Sequence, residues 1–127
     1  MRRMLGIAAV GMLLLAACGG GGGGSNNATC APNGAQLDIT AKSGAYDKAC
    51  LAAPANQPFT ITFHNDEAGA PHNVDILTSA NGSSLFKGNI VTGVTTETYK
   101  VPALKPGTYV FRCDVHPETM KGTFIVK

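Results

Sequence analysis

The sequence has few charged residues and almost no excess of one sign. Charged residues make up 14% of the 127, and without Arg2 and Arg3 the remaining eight basic residues equal the eight acidic ones. Aromatic residues are scarce at 6% and do not alternate with basic ones. The chain therefore lacks a basic stripe that could neutralise phosphates, which argues against nucleic acid as a partner.

The chain also lacks an apolar run of about 20 residues, the length that a membrane-spanning helix needs. The run from Leu5 to Ala17 is shorter, follows two arginines and ends at the tetrapeptide Leu-Ala-Ala-Cys, which resembles a bacterial lipobox. This resemblance implies that residues 1–17 are a signal peptide and that Cys18 becomes lipidated. We expect an exported monomer anchored to the outer face of the cytoplasmic membrane, or located in the periplasm or at the outer membrane. An ordinary secretory signal with an incidental cysteine is the alternative.

Residues 18–29 have almost no side chains to bury, because six glycines, Gly19 to Gly24, precede a short polar stretch. Such a composition predicts a flexible tether. As flexible coil, the nine residues 19–27 have a root-mean-square reach of roughly 15 to 18 Å. Residues 30–127 then form a single domain of about a hundred residues, a size that can fold alone.

Helical periodicity is almost absent from the domain, while short alternating or apolar stretches lie between Gly, Pro and Asn. In one stretch Phe59, Ile61 and Phe63 share a face and His64 lies on the other, as expected of a half-buried strand. The pattern predicts an all-β fold, a two-sheet Greek-key β-sandwich of seven to eight antiparallel strands. The predicted strands are Gln36–Ala41, Cys50–Ala53, Phe59–His64, Val74–Leu77, Leu85–Ile90, Thr96–Val101, Thr108–Cys113 and Gly122–Val126.

Three cysteines remain once Cys18 is assigned to lipid. Cys30 and Cys50 flank the first predicted strand without a nearby His or carboxylate, and we interpret them as a disulfide, with two free thiols as the alternative. A disulfide between them would close a loop of about 20 residues and would stabilise the domain by about 3 kcal/mol. Cys113 is left without a cysteine partner and needs another explanation.

Cys113 opens an eight-residue stretch that also contains His116 and Met120, and His72 lies about forty residues upstream. Two imidazoles, a thiolate and a distant thioether make up the ligand set of a type 1 copper site. We therefore predict one copper ion that cycles between Cu(I) and Cu(II). Structural zinc would favour four Cys or His ligands. Haem attachment of the c type would need two Cys separated by two residues with His directly after the second, and Cys113 has no such partner. A binuclear copper centre would need another cysteine at position 117, which is Pro.

These residues resemble the cupredoxins, the family of plastocyanin, amicyanin and azurin. The resemblance covers nearly all of 35–127 and is most specific in Pro71 to Val74 and in Gly107 to Gly122. It implies that His72, Cys113, His116 and Met120 are the ligands and that Asn73 fastens the ligand loop by hydrogen bonds. The stretch between Cys113 and Met120 is one residue shorter than in plastocyanin-like proteins and one longer than in amicyanin-like proteins.

The resemblance implies a single-electron carrier rather than an enzyme, with redox proteins of cytochrome or oxidase type as partners. Electrons would leave through a partly exposed His116, beside an apolar patch made of Ala68 to Pro71 and Pro117. A copper chaperone or buffer, serving an oxidase or copper tolerance, is the main alternative, and a copper enzyme or enzyme subunit is a third. Asp114 and Glu118 are interpreted as solvated loop charges.

Overall fold

The computed structural model describes residues 29–127, and all of its regular structure is β. The signal peptide predicted for 1–17, Cys18 and most of the predicted tether lie outside these residues. In chain order the strands are β1 (Gln36–Lys42), β2 (Ala45–Tyr46), β3 (Cys50–Ala53), β4 (Phe59–Asn65), β5 (Pro71–His72), β6 (Asp75–Leu77), β7 (Ser84–Lys87), β8 (Val91–Thr92), β9 (Thr95–Val101), β10 (Gly107–Arg112) and β11 (Lys121–Val126). Setting aside the two-residue strands β2, β5 and β8, eight strands remain in the described part, as the sequence predicted.

The strands form two main sheets, with β2-β1-β4-β9 in one and β3-β11-β10-β6-β7 in the other. A separate two-stranded sheet pairs β5 with β8. The all-β, two-sheet prediction is confirmed. The expectation of purely antiparallel sheets is wrong, because β1 runs parallel to β4 and β3 runs parallel to β11.

The core lies between the two main sheets and is built by alternating side chains. Phe59, Ile61 and Phe63 of β4 are buried as predicted, and the rings of Phe59 and Phe124 stack across the interior at 5.6 Å. Because each strand of this kind has one apolar face, packing the sheets removes both apolar faces from water. This core fixes the strand ends from which the loops leave.

One predicted strand, Leu85–Ile90, is divided in the structure. β7 ends at Lys87, and the amide of Gly88 donates to the carbonyl of Val74 at 2.9 Å. A Cβ at Gly88 would lie 2.6 Å from the ring of Tyr99, so only glycine fits where the chain passes this ring. The following β8 then pairs with β5.

Cys30 and Cys50 form a disulfide, as expected, with Cα atoms 6.0 Å apart. Cys50 begins β3 at the edge of the second sheet, so the bridge joins the first described residues to that edge. No helix within 29–127 is long and apolar enough to span a membrane.

Candidate metal centre

Three side chains converge between β5 and the end of β10. The Sγ of Cys113 lies 3.8 Å from Nδ1 of His72 and 3.9 Å from Nδ1 of His116. The potential ligand atoms of the three residues all lie within 4.8 Å of one another. The two imidazole rings are 4.9 Å apart between centroids. Two nitrogens therefore face one sulfur across a small space.

The alternation along β10 explains why Cys113 points into this space. Phe111 and Cys113 are both fully buried, whereas Arg112 between them is partly exposed. The ring of Phe111 lies so close to β11 that a Cβ at Gly122 would approach it to 2.4 Å. The glycine lets strand and ring meet, and the thiol is held inward by the packing of the strand that precedes it.

The segment from Cys113 to Met120 is a closed loop. The amide of Cys113 donates to the carbonyl of Met120 at 2.8 Å, and the amide of Met120 donates to the carbonyl of His116 at 2.9 Å. Met120 is 1% exposed, and its side chain belongs to the core. Two backbone hydrogen bonds thus fix Met120 at the end of the loop that carries Cys113 and His116.

His72 reaches the site from a different part of the chain. It is the second residue of β5 and pairs with Val91 of β8, and its side chain is 1% exposed. A strand position rather than a loop tip therefore sets the direction of this imidazole. His116, by contrast, is half-buried.

Asn73 joins the two ligand-bearing segments. Its Nδ2 donates to the carbonyl of Gly88 at 2.9 Å and to Oδ2 of Asp114 at 2.8 Å, while its Oδ1 accepts the amide of Asp114 at 2.9 Å. The hydroxyl of Tyr46 donates to the carbonyl of Asn73. Asn73 is fully buried, so these hydrogen bonds satisfy polar groups that water does not reach.

The interpretation of Asp114 as a solvated charge is wrong. Its side chain is 17% exposed and lies 3.5 Å from Nζ of Lys87. Burial acts to raise the pKa of Asp114, but the hydrogen bond from Asn73, the carboxyl of Asp75 and the charge of Lys87 outweigh it and lower that pKa overall. Glu118, at 91% exposure, is the solvated charge that was expected.

Sequence reasoning missed Glu67, whose Oε2 lies 3.0 Å from Nε2 of His72 and 2.8 Å from the amide nitrogen of Gly44. The hydrogen bond from Gly44, and then that from His72, lower the pKa of Glu67. The only signal in the sequence is an acidic residue five positions before the histidine. That signal is weak, because whether a loop carboxylate reaches an imidazole depends on how the loop is folded.

His64, which is not among the predicted ligands, lies away from the site. Its Nε2 is 2.8 Å from Asp38 Oδ2 and its Nδ1 is 3.0 Å from Thr96 Oγ1, on the outer face of the β1-β4-β9 sheet. The strand alternation that placed it opposite Phe63 predicted this correctly. Its position leaves His72 and His116 as the imidazoles of the centre.

The donor set fits copper. Imidazole nitrogens and thiolate sulfur lie about 2.0 to 2.3 Å from a bound first-row metal ion, as zinc sites illustrate, so one ion can contact all three donors across the observed separations. His72, Cys113, His116 and the adjoining Met120 together are consistent with a type 1 copper site.

Comparison with known proteins agrees with this arrangement. The model of the cupredoxin-like domain family matches residues 6–126. The chain belongs to the cupredoxins. No curated protein sequence matches it significantly.

Solved structures share the fold. Auracyanin A of Chloroflexus aurantiacus, described as a "blue" copper protein, superposes with a TM-score of 0.65 at 23% identity, over 75% of this chain and 100% of that one. Auracyanin of Roseiflexus castenholzii gives 0.63 at 24% identity, over 73% and 97%. The Cu(I) form of an amicyanin variant gives 0.55 at 26% identity, over 73% and 83%. This cupredoxin is thus similar in fold to several small copper proteins.

Proposed function

We propose that this cupredoxin is an exported, membrane-tethered electron carrier that binds one copper ion through His72, Cys113, His116 and Met120. The observation that carries the proposal is the convergence of both Nδ1 atoms on the Cys113 sulfur, at 3.8 and 3.9 Å. A bound copper ion would supply a one-electron couple that the side chains themselves lack. We expect no catalytic turnover by the protein alone.

The protein around the donors is suited to holding them still. The thiol and His72 are almost fully buried, and the loop is closed by the hydrogen bond between Cys113 and Met120. The thioether of Met120 would be the weak fourth ligand in this proposal. Donors fixed by strands and backbone hydrogen bonds rearrange little when an electron arrives or leaves, which favours transfer.

A partner can approach the end of the domain where His116 lies. Val115, next to His116, is 38% exposed, and Val94 is 70% exposed. The amide of Gly93 donates to the carbonyl of Ala70. Val94, the next residue, therefore lies beside the loop from Ala68 to Pro71, which is expected to form part of the apolar patch. A small apolar surface suits the weak, brief contacts of redox proteins such as cytochromes or oxidases.

The experiment is reconstitution with Cu(II) followed by absorption spectroscopy and measurement of electron self-exchange. We expect an intense thiolate-to-copper band that disappears in Cys113→Ser and persists in His64→Ala, the matched control for a histidine outside the site. Fast self-exchange supports a carrier. A colourless protein that holds only Cu(I) and releases it readily would instead indicate the chaperone or buffer.

The tether needs its own test, because the lipidation proposed for Cys18 rests on the lipobox-like residues 15–18. Expressed with its signal in a bacterium, the wild-type chain should enter the detergent phase on Triton X-114 partitioning. Cys18→Ser should move it to the aqueous phase or leave it unprocessed. A wild-type chain found in the aqueous phase would contradict the anchor without affecting the copper assignment.

A further inference from the structure

A carboxylate outside the ligand set contacts the buried imidazole. The Oε2 atom of Glu67 lies 3.0 Å from Nε2 of His72 and 2.8 Å from the amide nitrogen of Gly44. The side chain of Glu67 is 31% exposed, whereas that of His72 is 1% exposed. One oxygen atom therefore links a buried ligand to the turn between β1 and β2.

The chemistry of the pair decides which nitrogen of His72 carries hydrogen. A glutamate is ionised at neutral pH and can only accept hydrogen bonds. Nε2 of His72 must therefore donate to Glu67, which leaves Nδ1 with a free lone pair in the neutral ring. This Nδ1 is the atom that lies 3.8 Å from the sulfur of Cys113.

The backbone around Glu67 is itself fixed. Asn65, which is fully buried, accepts the amide of Glu67 through Oδ1 at 3.0 Å. Its Nδ2 donates to the carbonyls of Ala70 and Val91 at 2.8 and 3.1 Å. Asn65 thus connects the loop of Glu67 to β8, the strand that pairs with β5. The carboxylate of Glu67 and the imidazole of His72 are therefore both held by the β5-β8 sheet.

We propose that Glu67 is a positioning residue of the metal centre. It holds His72 in the Nε2–H tautomer with Nδ1 directed at the site, and its negative charge behind the ring favours the oxidised over the reduced ion. Carboxylates that accept from a ligand imidazole raise the basicity of that ligand. The effect of the charge on the ion rests on the proposed function, because it requires copper. The effect on the tautomer of His72 does not, because it concerns the chain alone.

Two substitutions separate charge from positioning. In Glu67→Gln the amide oxygen can still accept from both Gly44 and His72, but the charge is lost. In Glu67→Ala both hydrogen bonds are lost as well. Asp66→Asn is the control, since it removes a charge from the neighbouring exposed residue.

In the metal-free protein, ¹⁵N-resolved NMR should show the Nε2–H tautomer of His72 and a protected Gly44 amide in wild type and Glu67→Gln. In Glu67→Ala the tautomer preference should be lost, and the Gly44 amide should exchange at least about tenfold faster. An Nδ1–H tautomer in the wild-type protein would overturn the positioning role. Glu67→Gln keeps the test valid if the alanine variant does not fold.

In the copper-loaded protein, Glu67→Gln should lower the ratio of Cu(II) to Cu(I) affinity about tenfold, which raises the reduction potential by about 59 mV. Asp66→Asn should change that ratio less than twofold. Equal shifts in the two variants would overturn the electrostatic role. A wild-type chain without a thiolate-to-copper band would defeat the proposed function instead, while the NMR result on the metal-free chain would still decide the positioning of His72.

Discussion

His72 and His116 present the same atom to the same sulfur at nearly the same distance, yet they stand in different surroundings. His72 is a strand residue, 1% exposed, with Nε2 bound to Glu67. His116 is half-buried in a loop, and within residues 29–127 no hydrogen bond reaches its other ring nitrogen. One imidazole belongs to the core, while the other forms part of the surface.

In the proposed carrier, this difference separates two tasks within one site. A ligand packed among strands resists displacement, because moving it would disturb the core and leave Glu67 without its partner. A ligand at the surface can meet a redox partner without any rearrangement of the fold. The asymmetry therefore supports electron exchange through His116 and retention of the metal by His72, Cys113 and the adjoining Met120.

The largest expected effect comes from deleting each imidazole in turn. His72→Gly should abolish the thiolate-to-copper band and destabilise the metal-free protein by about 3 kcal/mol, because it leaves a cavity in packed surroundings. His116→Gly should also lose the band but remain within about 1 kcal/mol of the wild-type stability. External imidazole, added during titration with Cu(II), should restore the band in His116→Gly only.

Recovery of the band in His72→Gly at the same imidazole concentration would contradict the comparison. It would mean that the buried side of the centre opens to solvent as easily as the exposed side. Urea denaturation of both metal-free variants gives the independent measure of how far each imidazole supports the fold.

Much of the site itself was predictable from the sequence. The alternation in β4 placed Phe63 inward and His64 outward, and the predicted strand Thr108–Cys113 placed Cys113 at a strand end, because strand periodicity is local. The compact spacing of Cys113, His116 and Met120 indicated a single loop with soft donors. These features need no knowledge of which strands are neighbours.

What could not be predicted depends on contacts between distant segments. Glu67 reaches both Gly44 and His72 from a loop that is hydrogen-bonded to Asn65, and no periodic pattern marks such a carboxylate. The parallel pairing of β1 with β4 has the same origin, since strand alternation does not specify the neighbour. The environment of Asp114 is of the same kind, because its hydrogen bond comes from Asn73, forty-one residues away.

A smaller effect is expected from Asn73, which connects the segments that carry the two imidazoles. Asn73→Ala leaves the amide of Asp114 and the carbonyl of Gly88 without their partner, and should destabilise the metal-free protein by about 2 kcal/mol. Asn81→Ala, in an exposed turn, is the matched control and should stay within about 0.5 kcal/mol. Urea denaturation measures both. Equal stability of the two variants would show that the segments do not depend on this link.

The smallest effect concerns Asp75, whose carboxyl interacts with that of Asp114, the residue after Cys113. Its side chain is fully buried, Oδ1 accepts from the hydroxyl of Ser84, and Oδ2 has no hydrogen-bond partner in the described part of the chain. Burial first, and then the neighbouring Asp114, raise the pKa of Asp75, although the hydrogen bond from Ser84 opposes this shift. The folded state therefore holds a proton that the unfolded chain releases as the pH rises past about 3.9.

The free energy of unfolding of the wild-type protein should therefore fall as the pH increases above that value, until the pH passes the raised pKa of Asp75 in the folded state. Asp75→Asn stays neutral at every pH, keeps an acceptor for Ser84 and gains an N–H group beside Asp114. We expect the metal-free variant to be more stable than wild type by about 1 kcal/mol at pH 7, about 4 to 8 °C in Tm, with the difference vanishing near pH 3. Thermal denaturation across this range measures it, with Asp66→Asn as the exposed control. A variant less stable than wild type at pH 7 would show that the carboxylate of Asp75 is stabilised in place.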